Sequence, residues 1–452
     1  MPAAVRLENF CYAWPGASAW TLRELSFDLP QGECHWLSGV SGSGKTTLAL
    51  ALKDLLPPGR QQGHFNLPSP PEEKSSAVGL VLQNPETQLL TETIGSEVAF
   101  GLENLCVPTT EMPARVRAAL DAVGLDLPFG HLTSRLSMGQ KYRLLIACQL
   151  VLRPSLLILD EPAGQLDEPG LESLARIIAS LKSQGLSVLL CEHRPGPLKK
   201  VIDRCWQLAA AGHLLPGEND PALPADSTDS KTPELNAAPL VEVRGLQVSE
   251  DDATPAWREL DLQLAAGQRA LLCAPNGAGK TTLLRCLAGL LRPSHGRIRI
   301  GGKPPHQDRC GRIGYLFQNP RRQLFETTVF NEVAFGLCRQ GIKGVLLTER
   351  VHLALQRCGI GQLAERSPHQ LSYGQQHLVA LASVLAREPE LLLLDDPLAG
   401  LDPKAAAQVL ETIRDFNEER GATVLWTSHH QPERGNWNHV RFGIEGGRLV
   451  QH

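Results

Sequence analysis

The run Gly39-Val40-Ser41-Gly42-Ser43-Gly44-Lys45-Thr46 has the spacing G-x-x-x-x-G-K-[ST]. Glycines at these positions let the main chain approach an anion closely enough to offer it backbone N–H donors. The preceding Cys34-His35-Trp36-Leu37-Ser38 reads as a buried strand. The following Thr47-Leu48-Ala49-Leu50-Ala51-Leu52 reads as a helix, whose positive dipole end faces the same anion. Strand, loop and helix together predict a phosphate-binding loop. Gly39, Ser41, Gly42, Ser43, Gly44 and Thr47 line it, Lys45 reaches the β- and γ-phosphates, and the Thr46 hydroxyl ligates Mg²⁺.

The same unit is written twice. Lys45 recurs as Lys280, 235 residues on, inside Ala274-Pro275-Asn276-Gly277-Ala278-Gly279-Lys280-Thr281-Thr282. Gln83-Asn84-Pro85 recurs as Gln318-Asn319-Pro320 in the same register. Leu136-Ser137-Met138-Gly139-Gln140 recurs as Leu371-Ser372-Tyr373-Gly374-Gln375, and Leu159-Asp160-Glu161-Pro162 as Leu394-Asp395-Asp396-Pro397. His193 recurs as His429, one residue out of step. Four motifs in one register and a fifth one residue off mark a tandem duplication. The boundaries read as a first unit over 1–215, a linker over 216–239 and a second unit over 240–452. The linker holds five prolines and five acids against Lys231 alone, a solvated and extended composition.

Within each unit short mixed strands come first (Val5–Leu29, Leu240–Leu264). The buried strand, the loop and its helix follow. In the first unit a Pro-rich excursion (Pro57–Glu73) leads to a strand (Ala77–Leu82), and one helical stretch is expected from Glu97 to about Val123. Leu156–Leu159 forms a strand ending at Asp160, a helix covers Leu171–Ser183, and Ser187–Cys191 is a further strand. Apolar strands alternating with helices predict an α/β fold, with a mainly parallel sheet covered on both faces and ligands at the strands' carboxyl ends.

Composition sets limits. The chain has 452 residues, 42% hydrophobic and 20% charged, which suits a globular protein of two or three domains. No run approaches the roughly 18–20 apolar residues of a membrane span, and Met1–Arg6 lacks the apolar core of a signal peptide. Eleven cysteines without a C-x-x-C pair suit reduced thiols in a cytosolic protein. The net charge is −4, which the linker's five acids and single lysine account for in full. No long basic block marks a nucleic-acid partner.

Several residues carry two open readings. A buried carboxylate at Asp160 suits phosphate-bound Mg²⁺, and Glu161 suits polarising an attacking water; alternatively Asp160-Glu161-Pro162 only caps the next helix. Gln83 is either a contact to Mg²⁺ or water or a surface residue at a strand end. His193 is either a γ-phosphate contact or structural. Ser137 fits an N-cap, yet the L-S-x-G-Q run has no task within its own unit, whose loop already cradles a nucleotide.

These motifs, with Gly164-Gln165-Leu166-Asp167, resemble the ATP-binding-cassette family over both copies. The L-S-x-G-Q run is the most specific of them. The resemblance implies two cassettes, each with a phosphate-loop parallel core, an antiparallel β region and a helical subdomain. It implies ATPase activity, with ATP and Mg²⁺ as cofactors, and two ATP molecules sandwiched head to tail. Site one would join Lys45, Thr46, Gln83, Asp160, Glu161 and His193 to Ser372 and Gly374. Site two would join Lys280, Thr281, Gln318, Asp395, Asp396 and His429 to Ser137 and Gly139. Mg²⁺ ligands would be Thr46, Gln83 and Asp160, and in the second copy Thr281, Gln318 and Asp395. Tyr12 precedes the first loop at a distance suited to stacking on adenine, although ordinary strand packing would also explain it. Leu246–Ser249 in the second copy has no aromatic residue. Ala274 replaces a loop glycine and Asp396 stands where the first copy has Glu161, so site one is expected to hydrolyse ATP and site two mainly to hold it. Met138 departs from the small residue usual in the signature.

The extended block Q-N-P-x-x-Q, continuing into Glu97-Val98-Ala99-Phe100-Gly101-Leu102 and Glu332-Val333-Ala334-Phe335-Gly336-Leu337, is similar to energy-coupling-factor ATPases of vitamin and metal-ion importers. That likeness implies integral membrane partners, namely a transmembrane coupling protein and a substrate-binding membrane protein. It also implies a peripheral place on the cytoplasmic face of the cell membrane and one tandem chain per complex. A tandem cassette factor acting on ribosomes or DNA is the alternative; the acidic linker and the lack of large inserts speak against it. A regulatory nucleotide-binding module without transport is a third reading.

Overall fold

The computed structural model describes residues 3–40, 42–66, 77–83, 85–164, 166–193, 195–209, 212–217, 239–248, 257, 259–305, 311–429, 437–445 and 448–451. The chain divides into two compact units, Met1–Ala222 and Leu223–His452.

In chain order the first unit runs β1 (Ala3–Ala13), β2 (Leu22–Pro30), β3 (Cys34–Ser38), α1 (Lys45–Leu52), β4 (Arg60–Asn66), β5 (Val78–Val81), α2 (Ile94–Asn104), α3 (Met112–Ala122), α4 (Met138–Leu150), β6 (Leu156–Asp160), α5 (Glu168–Ser183), β7 (Ser187–Cys191), β8 (Arg204–Leu208) and β9 (Leu214–Pro216). Six strands form one sheet in the order β5-β6-β7-β3-β8-β9, parallel up to β8 and antiparallel at β9. All residues of β6 and β7 are buried, as the uninterrupted apolar runs require of strands covered on both faces. Successive side chains alternate between two cores. Leu157, Leu159, Val188, Leu190 and Trp36 pack with α4 and α5 on one face. Leu156, Ile158, Leu189, Cys191 and Leu37 pack with α1, β1 and β2 on the other. Each large aliphatic or aromatic side chain so buried contributes about 1.5–3 kcal/mol.

The second sheet of this unit is antiparallel, in the order β2-β1-β4. In β2, Leu22, Leu25, Phe27 and Leu29 are buried while Glu24, Ser26 and Asp28 are exposed, the period of a half-buried strand. A strand not expected from the sequence, β4, lies within the Pro-rich excursion over Pro57–Glu73. Its residues Arg-Gln-Gln-Gly-His-Phe-Asn lack apolar alternation and are almost wholly exposed, because this edge strand is held by main-chain pairing to β1 rather than by burial. The expected helix from Glu97 to Val123 is in fact two helices, α2 and α3, parted by the segment around Pro108 and restarted with Pro113 in the first turn of α3.

The second unit repeats the plan: β10 (Pro239–Gln247), β11 (Leu260–Ala265), β12 (Arg269–Cys273), α6 (Lys280–Leu287), β13 (His295–Ile300), β14 (Ile313–Leu316), α7 (Val329–Arg339), α8 (Gly344–Arg357), α9 (Tyr373–Leu385), β15 (Leu391–Leu394), α10 (Pro403–Arg420), β16 (Thr423–Ser428), β17 (Val440–Glu445) and β18 (Arg448–Gln451). Its sheets read β11-β10-β13 and β14-β15-β16-β12-β17-β18, strand for strand the order of the first unit. Pro216 and Pro239, the expected ends of the linker, close β9 and open β10; residues 218–238 lie outside the described residues. Among the described residues no helix is long and apolar enough to cross a membrane.

Candidate active sites

In each unit the phosphate loop follows the carboxyl end of a central parallel strand, β3 or β12. Gly44 caps α1 with φ 108°, and a Cβ there would lie 2.7 Å from Leu22 Cδ2, so both backbone and packing demand glycine. Lys45 is buried; its Nζ donates to the carbonyls of Gly39 (2.8 Å) and Val40 (3.4 Å). The Ser43 hydroxyl is buried without a hydrogen-bond partner. Buried polar groups seek partners, and a bound phosphate would supply acceptors to both side chains. Ser41 lies outside the described residues, and Thr47 is buried on α1.

Thr46 Oγ1 donates to Asp160 Oδ2 at 2.8 Å, while Asp160 Oδ1 is buried with no partner. Burial raises the Asp160 carboxyl to about 6, helped by the neighbouring Glu161 and opposed by Thr46, Lys45 and His193. An orphan carboxylate oxygen beside a hydroxyl is the donor set a hard divalent cation prefers. Glu161 takes a left-handed φ of 52°, a conformation uncommon for glutamate, with its N–H donating to Cys191 O at 2.8 Å. Its carboxylate gathers three expected residues. Gln83 Nε2 donates to Oε2 at 2.7 Å, His193 Nε2 lies 3.1 Å from Oε1, and Lys45 Nζ lies 3.7 Å from Oε1. The helix-cap reading of Asp160-Glu161 gives way, since Asp167 caps α5.

One expectation is corrected and one acidic residue is added. Tyr12 does not offer a face for adenine: it is 1% exposed in the core, and its hydroxyl donates to Pro57 O at 3.0 Å. The accessible aromatic surface beside it is Trp14, 37% exposed and edge-on to Tyr12 at 5.6 Å. Strand alternation alone did not separate the two, because Trp14 lies just past the end of β1. The other residue missed is Glu192. It is buried, and its two carboxylate oxygens accept from the backbone N–H groups of His193 (2.7 Å) and Ala163 (2.9 Å). Its adjacency to His193 was the available signal.

The second site keeps the loop and alters the rest. Lys280 Nζ donates to Ala274 O (2.6 Å) and Pro275 O (3.0 Å). Ala274 is accommodated without a positive φ, whereas Gly39 sits at 157°. Gly279 caps α6 in the left-handed region, under the buried Trp257, whose Nε1 donates to Ala278 O at 2.9 Å and braces the loop. Asn276 and Gly277 are exposed, and Thr282 follows on α6. Burial raises the Asp395 carboxyl, opposed by hydrogen bonds from Thr281, Thr427 and Tyr315. Thr427 Oγ1 donates to Oδ1 at 3.0 Å and Tyr315 to Oδ2 at 3.3 Å. Asp396 repeats the left-handed φ (45°), but its carboxylate meets only the His429 Nδ1 edge in a short contact, and no Gln318 hydrogen bond reaches it among the described residues. Gln318 is exposed.

The signature residues stand at helix starts. Ser137 and Ser372 each close a capping box with Gln140 and Gln375 at α4 and α9. Both serines are exposed. Gly374 is buried against Ala405, whereas Gly139 is more open.

Comparison with known proteins supplies the context for these sites. The family model described as ABC transporter matches residues 22–164 and 257–399, one match in each unit. A "Putative ABC transporter ATP-binding protein" of Methanosarcina acetivorans is 31% identical over 94% of this chain and 81% of its own length. The "Putative HMP/thiamine import ATP-binding protein YkoD" of Bacillus subtilis is 30% identical over 94% of this chain and 86% of its own. Among solved structures, cbiO1 from Clostridium perfringens, described as part of the ABC transporter complex cbiONQ, is 32% identical with a TM-score of 0.44. It covers 47% of this chain and 87% of that one.

Proposed function

This chain belongs to the ABC transporter family and is an ATPase, and from that premise we propose that it drives an importer of the energy-coupling-factor type, for a vitamin or a metal ion. The family resemblance implies two ATP molecules bound head to tail, each of which would be held by one phosphate loop and by the other cassette's signature: Ser372 and Gly374 for site one, Ser137 and Gly139 for site two. The observation that carries the motor reading is the convergence of Gln83, His193 and Lys45 on Glu161. On nucleotide binding, Lys45 turns from the Gly39 and Val40 carbonyls to the β- and γ-phosphates. Glu161 orients and deprotonates the attacking water, and His193 contacts the γ-phosphate. Thr46, Asp160 and Gln83 would hold Mg²⁺, which would neutralise phosphate charge when bound; Thr281, Asp395 and Gln318 would be the corresponding set in site two.

The import reading draws on the full-length likeness to a relative whose name specifies HMP/thiamine import. It also draws on exposed apolar residues in the stretch of sequence that follows each strand-end glutamine. Leu90 (69% exposed) and Phe100 (42%) lie there in the first unit, and Phe325 (58%) and Phe335 (44%) in the second, the last two stacked edge-on at 4.8 Å. These patches are where membrane subunits dock on the cytoplasmic face, with one tandem chain per complex. Mild-detergent purification of the tagged chain from its native membranes tests this. A polytopic membrane subunit is expected at near one-to-one. Its replacement by ribosomal proteins or nucleic acid would refute the importer. Phe335→Asp is expected to cut recovery of that subunit at least about fivefold while leaving ATP binding intact.

A further inference from the structure

Glu192 lies between the two segments that carry the reacting groups of site one. Its backbone is pinned to β3 from both sides: Trp36 Nε1 donates to its carbonyl at 2.7 Å, and its N–H donates to Leu37 O at 3.2 Å. With the main chain so fixed, the carboxylate spans from the end of β7 to the turn after β6. There Oε2 takes the Ala163 N–H, two residues beyond Glu161, and Oε1 takes the His193 N–H. The side chain thus couples the turn that carries Glu161 to the residue whose Nε2 lies 3.1 Å from the Glu161 carboxylate.

This arrangement is costly as mere scaffolding. Glu192 is 4% exposed, and its carboxylate lies near a second carboxylate, Glu161, and near the buried Tyr142 hydroxyl, which has no hydrogen-bond partner. Burial, and then Glu161, push its carboxyl up to about 7. The second unit builds the same strand end with Ser428, and there the carboxylate partner of His429 is the shorter Asp396, with Gln318 away from it. The fold therefore tolerates a small neutral residue at this position. The glutamate is present in the copy that also has the complete Gln83, Glu161 and His193 constellation.

We infer that Glu192 is a positioning residue of the first ATP site, clamping the Glu161 turn and the His193 backbone so that the two side chains meet at the γ-phosphate. The inference rests on the reading of site one as the hydrolytic site. The two backbone donors require two acceptors. Glutamine offers only one and turns an NH₂ group towards the other N–H, so Glu192→Gln breaks half the clamp at constant size.

Steady-state ATP hydrolysis by the full-length chain, with thermal unfolding of each variant, tests it. Glu192→Gln is expected to lower kcat about tenfold with KM for ATP within about threefold of wild type, because Lys45 and Thr46 are untouched. A wild-type kcat, or a loss carried entirely in KM, overturns the inference and leaves Glu192 a packing residue. Should Glu192→Gln fail to fold, Glu192→Asp in the same assay keeps the charge and shortens the reach. A kcat lowered about threefold at unchanged KM is then expected, and a wild-type kcat overturns the inference. Glu161→Gln, run in parallel, separates the two levels. If it is inactive while both Glu192 variants are normal, only the clamp fails. If it retains wild-type turnover, the hydrolytic reading of site one fails and the inference with it.

Discussion

The two cassettes share strand order, loop, capping boxes and even the left-handed residue after the strand-end aspartate, yet they differ where water would be activated. In the first, Glu161 reaches far enough to meet Gln83, His193 and Lys45 together. In the second, Asp396 is one methylene shorter and stays with His429, while Gln318 remains exposed. The strand-end aspartates differ in the same sense: Asp160 keeps an orphan oxygen, whereas both oxygens of Asp395 accept from hydroxyls. In the proposed reading, duplication has preserved the parts that bind phosphate and relaxed the parts that cut it. Binding needs only backbone amides and a lysine, but hydrolysis needs a base placed to within about 1 Å.

The sharpest way to break this comparison is to disable each carboxylate in turn. Glu161→Gln is expected to lower ATP turnover about 1,000-fold, within the range of a lost general base, whereas Asp396→Asn lowers it less than about twofold. Equal losses would erase the distinction between the sites. Next in size is a stability effect. The Asp160 carboxyl is raised from 3.8 to about 6 in the folded state. The folded protein therefore holds this proton more tightly than the unfolded chain does. The penalty is full above pH 6 and is relieved as pH falls towards 4. Asp160→Asn should accordingly stabilise the nucleotide-free chain at pH 8 by up to about 3 kcal/mol, with little gain at pH 4. Asp395→Asn should gain less, because hydroxyl donors already compensate Asp395. Calorimetric scans at the two pH values decide it.

A smaller effect sharpens the head-to-tail assignment. Ser372→Ala should cost about tenfold in turnover and Ser137→Ala about twofold, since Ser372 serves the hydrolytic site in this reading; the reverse order in a steady-state assay would exchange the partners. Smallest of all, Asp396→Glu should raise turnover by no more than about twofold, because lengthening the side chain leaves Gln318 where it is. A larger gain would mean that the missing methylene alone silences site two.

Much of this was legible in the amino-acid order because the relevant signals are local or repeated. The phosphate loop needs glycines at set positions, the central strands are apolar runs because both faces are covered, and the shared register of four motifs, with a fifth one residue off, shows the duplication. The edge strand β4 was not legible: its polar residues carry no burial pattern, and only pairing with β1 makes them a strand. Nor was the break between α2 and α3, where the apolar spacing continues on both sides of Pro108.

By itself the sequence determined that there are two phosphate-binding units of one ancestry, which carboxylates end their strands, and that the second departs at Ala274 and Asp396, since each of these depends on residue identity at a fixed spacing. Tertiary structure alone decided that Tyr12 is core while Trp14 is accessible, that Gln83 reaches Glu161 while Gln318 does not reach Asp396, and that Glu192 bridges two strand ends. Those facts depend on distances of a few ångströms between residues up to 78 positions apart, and sequence spacing does not encode such distances.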